Sequence, residues 1–108
     1  MRMMLKVSIP VEAGNAAVRE GKLGTTIERI LKEMKPEAAY FADDDGQRTG
    51  FIFFDMQDSS ELPAIAEPWF LALNASISVK PAMNVQDLVK ATPGMQKAVE
   101  GYSKAAKA

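Results

Sequence analysis

With no histidine and no cysteine in its 108 residues, the chain must do any polar chemistry with lysine, carboxylate, tyrosine and hydroxyl groups. Spacing singles out Lys6 and Lys80. Each sits at an even position of an alternating stretch: Met3, Leu5, Val7 and Ile9 against Met4, Lys6 and Ser8, then Ala75, Ile77, Val79 and Met83 against Ser76, Ser78 and Lys80. Successive strand residues face opposite sides, so both lysines share a face with serine hydroxyls. Two ammonium groups on one face repel unless a carboxylate or an anionic ligand lies between them. Asp55 is the natural protein-side partner, which gives a rim ion pair. A small organic anion held by Lys6, Lys80 and nearby hydroxyls is the functional alternative, and a lysine desolvated there has a lowered pKa and can act as a base.

Other polar positions carry two readings each. Trp69, the only tryptophan, is either core or rim packing, or the wall of a ligand pocket. Tyr40 is either a strand tyrosine with its hydroxyl at the rim or a proton donor at a cavity mouth. Asn74 reads as a helix C-terminal cap. Asp43, Asp44 and Asp45 lack the spacing and glutamate of a calcium loop, so no metal is expected, and Arg48 is expected to pair with this acidic turn. Gly14, Gly21 and Gly24 match no phosphate-binding fingerprint.

The absences exclude more than the presences assign. Without histidine or cysteine there is no Ser-His-Asp or Cys-His catalysis, no thiolate or imidazole metal site and no usual haem ligation. No cofactor is expected. Net charge is −1, leaving no basic field for nucleic acid. The apolar run between Arg2 and Lys6 is too short for a secretory core, and no stretch is long enough to span a membrane. A cytoplasmic location is expected, which also suits the lack of cysteine.

The elements that must position these residues follow in order. Met3–Ile9 is a strand ending at Pro10. A helical stretch opens at Gly14–Asn15 and breaks near Gly21 and Gly24. Thr25 and Glu28 form a capping-box pattern before a helix whose stripe is Leu23, Ile27, Ile30, Leu31 and Met34. Ala38–Ala42 is a second strand, joined through Asp43–Asp44–Asp45–Gly46 to Arg48–Met56 as a hairpin. The run Phe51–Phe54 is apolar on both faces, which makes that strand central. Leu62, Ile65, Ala66, Trp69, Phe70 and Leu73 mark a helix that Pro68 should kink or restart. Asn84 caps a short helix, and Thr92–Pro93–Gly94 starts another, with Met95, Val99 and Tyr102 on a narrow stripe.

The order β-α-β-β-α-β is a ferredoxin-like α+β arrangement in one domain, 1–108, with a C-terminal helical extension about 84–108. Helices cover only one face of such a sheet. The other carries Met4 and one phenylalanine pair, and a second copy of the same sheet is the simplest cover. The topology resembles the dimeric α+β barrel superfamily. Within it, Lys35-Pro-Glu-Ala-Ala-Tyr-Phe41, Gly50-Phe-Ile-Phe-Phe-Asp55 and Glu67-Pro-Trp-Phe-Leu-Ala-Leu-Asn-Ala75 are similar to a group of small bacterial proteins without an assigned activity. The superfamily includes cofactor-independent monooxygenases, muconolactone-type isomerases and haem-handling enzymes, and fixes fold better than function. The resemblance implies a homodimer. The expected function is binding of a small apolar or aromatic acid between helices and sheet, with Lys6, Lys80, Tyr40, Trp69 and Asp55 as ligand-binding candidates and catalytic residues unassigned. A cofactor-independent monooxygenase or isomerase, and a structural or regulatory dimer without ligand, are the alternatives.

Overall fold

A computed structural model describes residues 1–103; the Lys/Ala-rich end of the expected extension, 104–108, lies outside the described residues. The elements are β1 (Arg2–Ile9), α1 (Val11–Arg19), α2 (Leu23–Met34), β2 (Ala38–Asp44), β3 (Gln47–Asp55), α3 (Leu62–Leu73), β4 (Ser76–Pro81), α4 (Val85–Lys90) and α5 (Thr92–Ala98). A single 3-10 turn, Ser59–Glu61, precedes α3, and a π-helical end, Val99–Ser103, follows α5. The strands form one sheet in the order β2-β3-β1-β4, every neighbour antiparallel. This is a ferredoxin-like α+β fold, with β3 and β1 inside.

Strand alternation divides the sheet into two faces. Met3, Leu5, Val7 and Ile9 of β1 and Ile52 and Phe54 of β3 are buried beneath the helices, where Ile30, Trp69 and Leu73 meet them. Leu23, Ile27, Leu31 and Met34 pack around this core, so the α2 stripe faces the sheet as its spacing requires. The opposite face carries Arg2, Met4, Lys6 and Ser8 beside Thr49, Phe51, Phe53 and Asp55, flanked by Ala38, Tyr40 and Ala42 and by Ser76, Ser78 and Lys80.

Several local readings change. Helix α1 begins at Val11, ahead of Gly14, directly after Pro10. It ends where Gly21 takes φ +69° and the Lys22 amide donates to the Ala17 carbonyl at 2.8 Å. Because α2 starts at once, no residue is free to act as an extended N-cap, and the Thr25–Glu28 box does not form; the Thr25 hydroxyl instead donates to the Lys22 carbonyl. Capping boxes form at Asp58–Glu61 and Asn84–Asp87. The hairpin turn narrows to Asp45–Gly46, both at positive φ, the two-residue arrangement that matches strand twist. Asp43 and Asp44 therefore belong to β2. Helix α3 runs through Pro68 without restarting and closes on Asn74 in the left-handed region.

The last helices leave the body. No buried core residue comes from α4 or α5, and Val85 and Tyr102 are 71% and 80% exposed. The molecule measures 63 × 29 × 23 Å with a radius of gyration of 18.5 Å, against roughly 13 Å for a compact domain of this length.

Candidate functional site

The candidate residues from the sequence fall on both faces of the sheet, Asp55 at the end of the open one. Lys6, Lys80 and Tyr40 lie on the open face. Lys6 faces Phe51 on one side and Ser78 on the other, Phe51 faces Tyr40, and Lys80 lies across from Met4. Lys80 and Tyr40 are exposed, Tyr40 by 68%. Trp69 is fully buried on the helix side, so it walls no volume shared with the lysines. Its indole Nε1 has no hydrogen-bond partner among the described residues.

The carboxylate partner expected for Lys6 is replaced by another. Asp55 is taken by the N-terminal ammonium at 2.8 Å, which holds its carboxyl below the ordinary range. Lys6 Nζ instead reaches Asp44 Oδ2 at 2.5 Å. The register explains how. Lys6 on β1, Thr49 on β3 and Asp44 on β2 lie one step apart on a diagonal of the open face, because Thr49 pairs with Ser8 and Ala42 and Gln47 pairs with Asp44. The ion pair thus roofs Thr49, which is only 1% exposed. Sequence reading missed this pair because Asp44 was assigned to the turn.

A second constellation lies on the other side, at the end of the sheet where β2 and β3 meet α1 and α2. A groove of about 580 Å³ opens there, walled by Ile9, Val11, Leu23, Ile27 and Phe41 and edged by Asn15, Asp43, Arg48 and Thr49. Arg48 shares the parity of Gly50, Ile52 and Phe54, so its side chain runs to the helix side. Its Nη2 donates to Asn15 Oδ1 at 3.1 Å. Gly14 makes the room: a Cβ there would lie 2.4 Å from Arg48 Nη1. Although Asp43 stands opposite Arg48 in the register, no carboxylate lies within ion-pair distance of Arg48 among the described residues. The expected pairing of Arg48 with the acidic turn is not what forms. A half-buried guanidinium has five donors and no acceptor, so most of its capacity stays available in an apolar groove. Strand parity was the sequence signal for this site; Gly14 stands inside a helix only because α1 begins at Val11.

A second hollow, about 640 Å³, opens at the other end of the sheet between Arg2, Lys35, Glu37, Asp55 and Met83. Two of its charges are matched with each other: Arg2 Nε lies 2.8 Å from Glu37 Oε1, a hydrogen bond that holds the Glu37 carboxyl below its ordinary range, and Asp55 is held by the N-terminal ammonium.

No family model matches the chain, and no curated protein sequence matches it. Among solved structures, it is similar to a formyltetrahydrofolate deformylase from Pseudomonas putida KT2440, with 15% identity and a TM-score of 0.48. The match covers 76% of this chain and spans 29% of that one. Among the described residues no helix is long and apolar enough to cross a membrane.

Proposed function

We propose that the chain is a binding protein for a small apolar or aromatic acid, seated in the groove between helices and sheet, and that it works as a homodimer of the dimeric α+β barrel kind. One observation carries the ligand reading: Arg48, free of any carboxylate among the described residues, is aimed into an apolar groove by Gly14 and Asn15. The groove volume lies within the range of about 300–1,000 Å³ usual for small-molecule sites. A carboxylate on Arg48 gains a planar, charge-assisted pair, and a ring fills the space between Val11, Ile27 and Phe41. Asp43 at the edge accepts a hydrogen bond from a ligand hydroxyl, so a hydroxybenzoate satisfies both ends of the groove.

The open face supports the dimer. Tyr40, Phe51, Phe53 and Met4 form an apolar strip that the helices of the same chain do not reach, and such strips are covered in stable proteins.

Titration with 4-hydroxybenzoate, followed by amide chemical shifts, tests the ligand reading. Arg48→Met should weaken binding roughly tenfold or more, the cost of one charge-assisted contact of about 1.5–3 kcal/mol. Gly14→Ala should weaken it too while leaving the fold intact, since the new methyl meets only the mobile end of Arg48. Lys6→Met and Lys80→Met should leave affinity unchanged. Shifts confined to the open face, or binding lost with the lysines and kept without Arg48, would overturn the assignment.

A further inference from the structure

The helices beyond β4 form an arm that contributes no residue to its own chain's core. Val85, Leu88, Thr92, Met95, Val99 and Tyr102 follow one another at spacings of three and four residues, the period of a helix face that packs against something. Asp87, Lys90, Lys97 and Glu100 all fall outside that stripe. The joint at Ala91 keeps right-handed helical backbone, φ −78° and ψ −9°, and the Gly94 and Met95 amides both donate to its carbonyl. The arm from Val85 to Ser103 is therefore on the order of 28 Å long at 1.5 Å per residue. Val85, Val89, Val99 and Tyr102 are each more than half exposed along it.

We propose that this arm docks on a second copy of the chain, so that each copy's arm completes the interface begun by the open sheet faces. The inference rests on the sheet-to-sheet dimer proposed above. Area decides the occupant. The open face, four strands wide and six to nine residues long, offers roughly 450 Å² at a strand spacing of ~4.8 Å and a rise of ~3.3 Å. The arm adds roughly 300 Å² for a helix ~10 Å across. Neither alone reaches the ~800 Å² that each partner of a standard dimer buries, and together they come close. Three residues alone, 82–84, separate the arm from the end of β4, an edge strand, at the margin of the face on which the second copy sits. Across a two-fold axis sheet meets sheet, and each arm extends the same interface at its margin, with no third party needed.

Sedimentation of the full-length protein at micromolar concentration, with small-angle scattering on the same samples, tests this. Wild type should be a dimer. Leu88→Asp with Val99→Asp should raise the dimer dissociation constant at least tenfold, with unchanged circular dichroism in the sheet region. Lys97→Gln, on the outer side of the arm, should not move it. Tyr40→Glu on the sheet face separates the two readings. If Tyr40→Glu dissociates the dimer and the arm variant does not, the arm proposal falls and the sheet pairing stands. If wild type is a compact monomer with a radius of gyration near 13 Å, the arm folds back on its own body and the proposal is wrong. If wild type is an extended monomer, both the proposal and the dimer fall.

Discussion

The two faces of the sheet are made by alternate residues of the same strands and have opposite fates. Under the helices, Leu5, Val7 and Ile52 are completely inaccessible, and Met3 and Phe54 nearly so. One residue along each strand, Met4, Phe51 and Phe53 remain partly open and Tyr40 stands clear of the surface. Side-chain chemistry does not explain the difference, since both faces offer phenylalanine and methionine. The connections do. Both crossovers between strands are helical and lie on one side, so the helices of the chain cover that face and not the other. A strand apolar on both faces thus reports a central place in the sheet, without naming what meets its second face.

The sharpest way to test the contrast is to truncate one large aromatic group on each side. Trp69→Ala removes the largest fully buried side chain and opens a cavity in a packed core, so unfolding free energy should drop by about 3–5 kcal/mol. Part of that loss is offset because the indole N–H is buried without a partner, a burden of about 1–3 kcal/mol that leaves with the side chain. Chemical denaturation measures it. A loss below about 1 kcal/mol would mean that the helices are not the true cover of this face.

On the open face the same kind of change should read out differently. Phe51→Ala should cost an isolated subunit less than about 1.5 kcal/mol, because the ring already meets water. The effect should appear in association, as a dimer constant weakened tenfold or more when measured by sedimentation. Equal losses in folding for Trp69→Ala and Phe51→Ala would erase the distinction between the faces.

The sequence made one face far more legible than the other. The period of β1, the double-sided run in β3 and the stripe of α2 specify strand order and core, because burial forces a pattern on every residue involved. Polar partners are under weaker constraint. Lys6 has several carboxylates within reach of a flexible stem, and which one it meets depends on where β2 ends. Moving the turn from Asp43–Gly46 to Asp45–Gly46 changes Asp44 from a loop acid to a strand residue two rows from Lys6. Arg48 reads as a partner of the acidic turn for the same reason: with Asp43 and Asp44 in β2, its side chain runs to the helix side and meets Asn15 instead. The C-terminal stripe was visible as a stripe, but a periodic pattern cannot name the surface it packs on.

The Lys6–Asp44 pair gives a smaller test of the open face. Both side chains are about two-fifths exposed, so the pair itself is worth about 0–1 kcal/mol. Lys6→Met should cost about that much, more than Lys80→Met, since only Lys6 covers Thr49. Hydrogen exchange at the Thr49 amide should quicken in the first variant and not in the second. Matching exchange rates in both variants would show that the diagonal pair does not shield β3.

The faintest effect should be the response to acid, and its sign is fixed. The N-terminal ammonium lowers the pKa of Asp55, the Arg2 guanidinium lowers that of Glu37, and the Ser60 hydroxyl and amide lower that of Asp58. Each folded-state pKa lies below the ordinary value, 3.8 for the aspartates and 4.5 for the glutamate. The unfolded chain therefore takes up protons first as pH falls. The stabilisation is complete above those ordinary values and is lost as pH drops through them toward the lower folded ones. All three groups are at the surface, so water and salt screen the interactions and the loss stays small. Melting temperature should be flat from pH 7 to about 5 and decline below about 4.5. The decline should be shallower in Glu37→Gln and in high salt. Arg2 and Asp55 stand at the margin of the open face, so a second copy there would exclude water and steepen the decline. The same titration on Tyr40→Glu, which uncovers that margin, should then be flatter than on wild type. Identical slopes would place Arg2 and Asp55 outside the interface.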